Sequence, residues 1–359
     1  MNILHFIYDS PWNPWVGGGG AARVQYLDRL LADRGTSIRL IAGAFPECGT
    51  SRTNDGLTWE FTGLRVKNYP LSTLAYTISS RGIRDRLSSW ADLIIEDFAP
   101  WNPVFSHRNK AEKPAVLQIQ NFLGDEIPRK YPVIGRPIQA FEMSYPRQFA
   151  HRIYVNQSLE SAYNLPGHVI PMGVESQVLE YPMEEGQYIG FLGRIDFVQK
   201  GLDQLLDAMS GTGLPLRLAG RGPDDDRLRK RLESLPGCEW IGPVSGEAKW
   251  NFLKGSRFLV MPSRFEGQPL VAIEAAAMGK MVLTSQIREL EFASSQGFGV
   301  STNTGNVDEF RTQLIDLWNN PDRCQQLGTA GREFATTRTW EALAGDFLKT
   351  CEQIASKSG

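Results

Sequence analysis

A chain of 359 residues exceeds what one hydrophobic core comfortably fills and suits about two domains at ~100–200 residues each. Hydrophobic residues at 42% and charged residues at 22% are ordinary globular values and argue against extensive disorder. With 38 basic and 40 acidic side chains the net charge is −2, so no global pull on nucleic acid or anionic lipid exists and no nucleic-acid partner is expected.

Asn2 to Tyr8 is a short apolar run that stops at Asp9-Ser10-Pro11 and reads as a buried strand. The glycine loop Gly17-Gly18-Gly19-Gly20 follows, then a helical pattern over Ala21–Arg34 with Val24, Leu27, Leu30 and Leu31 on one stripe and Gly35 as its stop. Ser37–Ala42 is strand-like again. This is the β–loop–α–β opening of a doubly wound parallel sheet. Leu93–Glu96, Ala115–Ile119 and Arg152–Asn156 are further strands, Phe122 to Pro146 reads as irregular, and Ile170 to Gln187 as an interdomain linker.

The second half repeats the rhythm with shorter connections. Strands are expected at Tyr188–Leu192, Leu216–Ala219, Glu239–Ile241, Phe258–Met261 and Met281–Thr284. Helices are expected at Gly201–Met209, Asp224–Leu235, Glu247–Lys254 and Pro269–Met278, and Trp340–Ser356 reads as a final amphipathic helix. The fold class is therefore α/β, with two Rossmann-like doubly wound domains and a ligand cleft between them. Residues 1–172 form the first domain and 173–339 the second.

Cys48, Cys238, Cys324 and Cys351 show no C-x-x-C spacing, and His5, His107, His151 and His168 form no H-E-x-x-H pattern. No metal site and no cofactor are expected. No apolar run approaches the ~18 residues that cross a bilayer. The first residues lack the basic start of a signal peptide, so the protein reads as cytoplasmic.

Gly17-x-Gly19-x-x-Ala22 fits a dinucleotide turn, but Arg39-Leu40-Ile41-Ala42-Gly43 lacks the acid that such a site needs after its second strand. That disfavours a nicotinamide dehydrogenase. Backbone N–H groups at the helix start still suit a phosphate.

The chemistry concentrates in Pro262-Ser263-Arg264-Phe265-Glu266-Gly267-Gln268-Pro269-Leu270-Val271-Ala272-Ile273-Glu274-Ala275. A strand ends at Met261, a loop carries Glu266, and Pro269 is placed as the first helical residue. The N–H groups of Gln268, Leu270 and Val271 are then unpaired and available to a phosphate. One carboxylate suits sugar hydroxyls and the other a ribose. Taken alone, such glutamates are ordinarily a loop carboxylate and a solvated helix charge; the flanking sequence decides otherwise.

That flanking sequence resembles the E-x7-E segment of retaining GT-B glycosyltransferases, in particular glycosyltransferase family 4. Gly193-Arg194-Ile195 with Lys200-Gly201-Leu202-Asp203 is similar to the family's G-R…K-G segment. Ala219-Gly220-Arg221-Gly222-Pro223 is similar to its G-x-G-P turn, and Gly242-Pro243-Val244 to its base-binding turn. Gly19-Gly20-Ala21-Ala22-Arg23-Val24 resembles its N-terminal G-G-A-E-R-V. The likeness runs from about Gly190 to Thr284 and is patchy in the first half.

The resemblance implies transfer of a hexose-type sugar from a UDP- or GDP-sugar to a glycan, lipid-linked or small-molecule acceptor, without a metal. It implies that Arg194 and Lys200 hold the donor diphosphate, as suits cations aimed at a leaving group's developing charge. Glu266 then contacts the transferred sugar, Glu274 the ribose, Val244 the base, and Gly19 or Gly20 a phosphate. Gly267, Gln268, Pro269 and Leu270 complete the donor set at the helix start. It also implies a first domain that takes the acceptor, with residues 340–359 packing back on it, and a second domain that takes the donor.

Where the family usually carries a histidine after an N-domain strand, Gln120 closes Ala115-Val116-Leu117-Gln118-Ile119-Gln120-Asn121. A glutamine hydrogen-bonds a sugar hydroxyl but takes no proton. The departure keeps open a non-catalytic nucleotide-sugar or glycan-binding relative; a nucleotide-sugar epimerase on the same fold is the other rival.

Pro-Trp-Asn-Pro occurs at Pro11–Pro14 and again at Pro100–Pro103, each after a strand, so Trp12 and Trp101 are candidates to stack on acceptor sugars, with loop-ordering plugs as the alternative. Asp97 is a candidate for an acceptor hydroxyl. Asp224-Asp225-Asp226 reads as a helix start rather than a metal site, and Arg227 to Arg231 as a solvated helix face. Basic residues from Arg129 to Arg152, interleaved with Tyr131, Phe141 and Tyr145, mark the best candidate for peripheral contact with the inner face of a membrane.

Overall fold

The computed structural model describes residues 1–15, 18–267 and 269–356. The chain divides into two compact units, Met1–Met172 with Trp340–Gly359, and Gly173–Thr339.

In the first unit the described residues form an eight-stranded sheet: β1 (Asn2–Ile7), β2 (Ser37–Gly43), β3 (Ser51–Asn54), β4 (Leu57–Thr62), β5 (Leu93–Asp97), β6 (Ala115–Ile119), β7 (His151–Tyr154) and β8 (His168–Val169). Their spatial order is β3-β4-β2-β1-β5-β6-β7-β8. Every pairing is parallel except β3 with β4. That exception is a hairpin turning at Asp55 and Gly56, both at positive φ, the conformation a two-residue turn needs to match strand twist. The order reverses at β1/β5, so the loops after these two strands open the crevice where such sheets take ligands.

The apolar runs of β1 and β5 are buried, as a sheet covered on both faces requires. Helix Gly19–Asp33 covers one face and buries Ala21, Val24, Leu27 and Leu31. Helix Tyr69–Leu87, unread in the sequence, has an inverted pattern. It buries Ser72, Thr73, Tyr76, Thr77 and Ser80, while Leu71, Leu74 and Ile78 face outward. The Ser72 hydroxyl explains part of this, donating to the Ala44 carbonyl and accepting from the Tyr8 hydroxyl. Helix Trp340–Ser356 returns to this unit, stacking Trp340 on Tyr26 at 5.4 Å and burying Leu343, Phe347, Cys351 and Ile354.

The second unit holds β9 (Tyr188–Leu192), β10 (Leu216–Ala219), β11 (Cys238–Trp240), β12 (Ser256–Met261), β13 (Val282–Ser285) and β14 (Gly299–Thr302). All pairings are parallel, in the order β11-β10-β9-β12-β13-β14, which is the 3-2-1-4-5-6 arrangement with its switch point at β9/β12.

The stretch read as an interdomain linker contains the division between the units, at Met172/Gly173, and beyond it the chain is packed: Arg332 donates to the carbonyls of Leu179 and Tyr181, and Lys280 donates to that of Glu184 at 2.6 Å. Two helix starts shift by a residue. The helix expected over Gly201–Met209 starts at Leu202, because Gly201 at φ +61 ends a preceding turn, Phe197–Lys200. Pro269 is extended and precedes helix Leu270–Ala277 rather than beginning it.

Candidate active site

The loops that follow β9, β10 and β12 meet through their backbones. A Cβ on Gly201 would stand 2.0 Å from the Pro262 carbonyl oxygen, and one on Gly220 only 1.8 Å from that of Gly193. Both positions also need positive φ, so the glycines are fixed by contact as well as by conformation. Arg264 stitches the β12 loop to the β9 loop. Its N–H donates to the Gln199 carbonyl at 2.9 Å, and its guanidinium reaches the Phe197 carbonyl at 2.9 Å and Asp203 at 2.7 Å.

This stitching brings Lys200 and Glu266 together as an ion pair. The Glu266 carboxylate also accepts from the Ser263 hydroxyl at 2.6 Å and is buried. Lys200 folds back so that its Cε lies 3.8 Å from where a Cβ on Gly193 would stand, next to the residue before Arg194. Arg194 is exposed, and its guanidinium has no hydrogen bond or ion pair with any described residue. The pair and the unengaged cation thus stand on loops at the carboxyl ends of β9 and β12, where the sheet changes direction.

Glu274 is buried on helix Leu270–Ala277 and pairs with Lys249 at 2.7 Å. Lys249 was not singled out in the sequence; its Nζ lies 4.0 Å from the Trp250 ring centre. The N–H groups of Leu270 and Val271 meet no acceptor among the described residues, as the opening of a helix dictates. Gly267 is half-buried and Pro269 buried; Gln268 lies outside the described residues. Val244 is half-buried in the loop after β11, close in sequence to Gly242, whose carbonyl accepts from the Gly220 N–H at 2.9 Å.

The three aspartates each have a local partner. Asp224 accepts from the Phe197 N–H at 2.8 Å, Asp225 from the Gly222 N–H at 2.8 Å, and Asp226 pairs with Arg229 at 3.2 Å. Among the described residues no cluster of His, Cys, Asp or Glu is arranged to hold a metal. The basic helix face is likewise engaged: Arg227 lies over Phe197, Arg229 over Trp240, and Arg231 pairs with Asp207.

In the first unit, Gly19 and Gly20 open their helix without a side-chain cap. Gly17 lies outside the described residues. Gln120, just past β6, donates its amide to Asp97 and comes close to Gly20, where a Cβ would stand 3.1 Å from its Oε1. Asp97, at the end of β5, faces inward. It accepts from Gln118 at 2.9 Å and from His5 at 2.6 Å, so its oxygens are engaged within the protein.

His5 is fully buried, with Asp28 2.6 Å from its other nitrogen. Burial alone favours the neutral ring, but Asp28 and then Asp97 outweigh it by charge and hydrogen bonding and raise its pKa to about 10. Arg23, also fully buried, is lowered to about 10 by desolvation against the pull of Asp97 and Asp28, and donates to the Pro171 carbonyl at 2.6 Å. None of His5, Arg23 or Asp28 was a candidate from sequence.

The two Pro-Trp-Asn-Pro segments follow the neighbouring strands β1 and β5. Trp12 is packed edge-on against Trp59 at 6.2 Å and Phe61 at 6.3 Å, with the Arg52 guanidinium 5.6 Å from its ring centre. It closes the core beside the β3–β4 hairpin. Trp101 is half-buried, edge-on to Tyr131 at 5.2 Å. The loop that carries Trp101 is ordered by buried Glu96, which accepts from the N–H groups of Val104 and Ser106 and from the Tyr145 hydroxyl.

Two members of the stretch expected at a membrane are turned inward: Tyr145 is fully buried among Phe98, Phe105 and Phe141, and Arg152 satisfies the carbonyls of Pro146, Phe149 and Pro166. Arg129, Arg136 and Arg147 are exposed. No helix among the described residues is long and apolar enough to cross a membrane.

Residues 180–334, a little under half of the chain, match the family model of glycosyl transferases group 1. An uncharacterized glycosyltransferase of Methanocaldococcus jannaschii is 28% identical over 56% of this chain and 58% of its own length. The phosphatidyl-myo-inositol mannosyltransferase of Mycobacterium leprae is 24% identical over 96% of each chain. Among solved structures, sucrose-phosphate synthase of Thermosynechococcus elongatus superposes with a TM-score of 0.81 at 18% identity, covering 99% of both chains. HepE of Anabaena, solved with UDP, superposes with a TM-score of 0.74 at 15% identity over 98% of this chain and all of that one. The fold is the GT-B class of two Rossmann-like units. The family match and the relatives together support a GT-B glycosyltransferase.

Proposed function

We propose that the protein is a retaining glycosyltransferase that moves a hexose-type sugar from a UDP- or GDP-sugar to a glycan, lipid-linked or small-molecule acceptor, with no metal ion. The observation that carries this reading is the placement of the Lys200–Glu266 pair and the unengaged Arg194 at the β9/β12 switch point. As the bond between the anomeric carbon and the diphosphate breaks, charge grows on the leaving oxygens. Arg194 supplies a planar fork of donors, Lys200 a point charge, and the N–H groups of Leu270 and Val271 the positive end of a helix. Glu266, held by Ser263 and Lys200, meets hydroxyls of the transferred sugar, and Glu274 those of the ribose. Val244 meets the base through its backbone.

In a same-face reaction the acceptor hydroxyl attacks the anomeric carbon while its proton passes to a donor phosphate oxygen, so no protein base is required. In the first unit, Trp101 is retained for the acceptor. The decisive experiment is a thermal-shift panel of UDP- and GDP-sugars followed by turnover with the best donor and a set of sugar acceptors. A stabilising donor and acceptor-dependent product support the reading. Donor conversion without acceptor indicates an epimerase, and binding without any product a non-catalytic relative.

A further inference from the structure

The neighbouring strands β1, β5 and β6 end at one edge of the first sheet, and the loops that follow them carry Trp15, Trp101 and Tyr131. Helix Tyr69–Leu87 brings its first residue to the same edge, where Tyr8, just past β1, holds the Tyr69 ring edge-on at 5.8 Å. Trp15 lies 5.7 Å from Tyr69 between ring centres, and Trp101 lies 5.2 Å from Tyr131. The two pairs belong to one cluster, because the Tyr69 hydroxyl feels the charge of Tyr131 and of Asp9.

The loops are set in place from below. Buried Asn13 accepts from the backbone N–H of Trp15 at 3.0 Å, and buried Glu96 orders the loop of Trp101 through Val104 and Ser106. All four rings are half-buried. The indole N–H groups of Trp15 and Trp101 and the Tyr69 hydroxyl have no partner among the described residues, and none of the three is closed off from water. Burial, and behind it Tyr8, Tyr131 and Asp9, push the Tyr69 hydroxyl up to about 12. At neutral pH it is an intact phenol that both donates and accepts.

Ring bodies with unfilled polar tips match a ligand that has C–H faces and a rim of hydroxyls, the combination a sugar presents. Charge narrows the class. Trp12 has the Arg52 guanidinium over its ring, but Trp15, Tyr69 and Trp101 have no cation over theirs among the described residues. An anionic ligand stacked on them would meet Asp9 with no opposite charge on the rings to offset it.

We propose that Trp15, Tyr69, Tyr131 and Trp101 form the acceptor subsite of the first unit and that it takes an uncharged sugar rather than a phosphorylated headgroup. The sugar's role as acceptor rests on the glycosyltransferase reading above, to which this adds Trp15, Tyr69 and Tyr131 and a substrate class. The rings cover the C–H faces, and the three polar tips take hydroxyls.

Saturation-transfer NMR and tryptophan-fluorescence titration of the full chain, without donor, test this with five probes. Maltotriose, mannotriose and cellotriose are the neutral ones; glucose 6-phosphate and inositol 1-phosphate are the anions. At least one trisaccharide should bind, and neither phosphate should displace it. Trp15→Ala should weaken that binding about fivefold and Tyr69→Phe about threefold, as suits one aromatic contact and one hydrogen bond. With the best nucleotide sugar, the same factors should appear in acceptor KM while donor KM stays within about twofold.

Preference for a phosphorylated probe, binding by none of the five, or affinities indifferent to both substitutions overturns the proposal. A trisaccharide that binds at these rings while no nucleotide sugar binds keeps the sugar site and sinks the transferase reading. Turnover that ignores both substitutions keeps the transferase reading and sinks the site. Should Trp15→Ala not fold, Tyr69→Phe, which removes a single oxygen, carries the decision.

Discussion

The two sheets share the strand arrangement around their switch points but use charge there in opposite ways. In the first unit His5, Arg23 and Asp28 are fully buried, and with Asp97 they neutralise one another. In the second, Lys200 and Lys249 pair with buried glutamates yet remain partly exposed, at 15% and 24%, and Arg194 stands unengaged among the described residues. Buried, self-balanced charge holds a shape, since any member removed leaves its partner unpaired in a poorly polarisable surrounding. Exposed cations beside a switch point are available to an incoming anion. One unit is organised for precision and the other for capture.

The sharpest way to break this contrast is Arg194→Ala. Turnover with the best nucleotide sugar should fall about 10²–10³-fold, the usual effect of removing one group that stabilises developing charge, with no change in melting temperature. Unaltered kcat removes Arg194 from the diphosphate. Lys200→Met is next. It should reduce activity and also lower stability by ~2 kcal/mol, because Glu266 is left buried with Ser263 as its remaining partner; denaturant titration reads the second effect. A loss of activity alone would place Lys200 with Arg194 rather than in a structural pair.

The third test concerns pH. His5 has a native pKa raised from 6.5 to about 10, so its contribution to stability is complete below 6.5 and lost as pH rises through about 10. The groups facing it are Asp28 and Asp97; Arg23 lies within the field of both, and Cys351 of the C-terminal helix within that of Asp28. Unfolding free energy should decline across this window, and His5→Gln should start lower and decline less. A native protein equally stable at both ends removes the imidazolium. The smallest effect is expected for Trp101→Ala, a severalfold rise in acceptor KM with unchanged donor KM. Unchanged values for both would leave Trp101 as a loop-ordering residue beside Tyr131.

How much of this was legible in the sequence also differs between the units. In the second, short connections and continuous apolar strands placed β9, β10, β12 and β13 within a residue or two. Lys200 and Glu266 stood in recognisable segments. In the first, helix Tyr69–Leu87 escaped because its buried face is Ser72, Thr73, Tyr76, Thr77 and Ser80, so apolar periodicity marks the wrong side. The β3–β4 hairpin did carry a signal, Asp55-Gly56 between alternating residues, that went unread. The His5 network was beyond pattern reading altogether. Its partners lie 23 and 92 residues away, and a histidine in an apolar strand shows no sign of the carboxylates that folding brings to it.

The chain leaves its first unit at Met172 and returns only at Trp340. On the ribosome, therefore, the second unit is complete before the first can be. Until helix Trp340–Ser356 emerges, Tyr26 lacks its stacking partner and the surface that Leu343, Phe347 and Ile354 will cover stays open to water. The usual order, in which the amino-terminal domain matures first, is reversed here. Substitutions in the last helix should accordingly lower the yield of folded protein more than their effect on the finished molecule's stability would indicate.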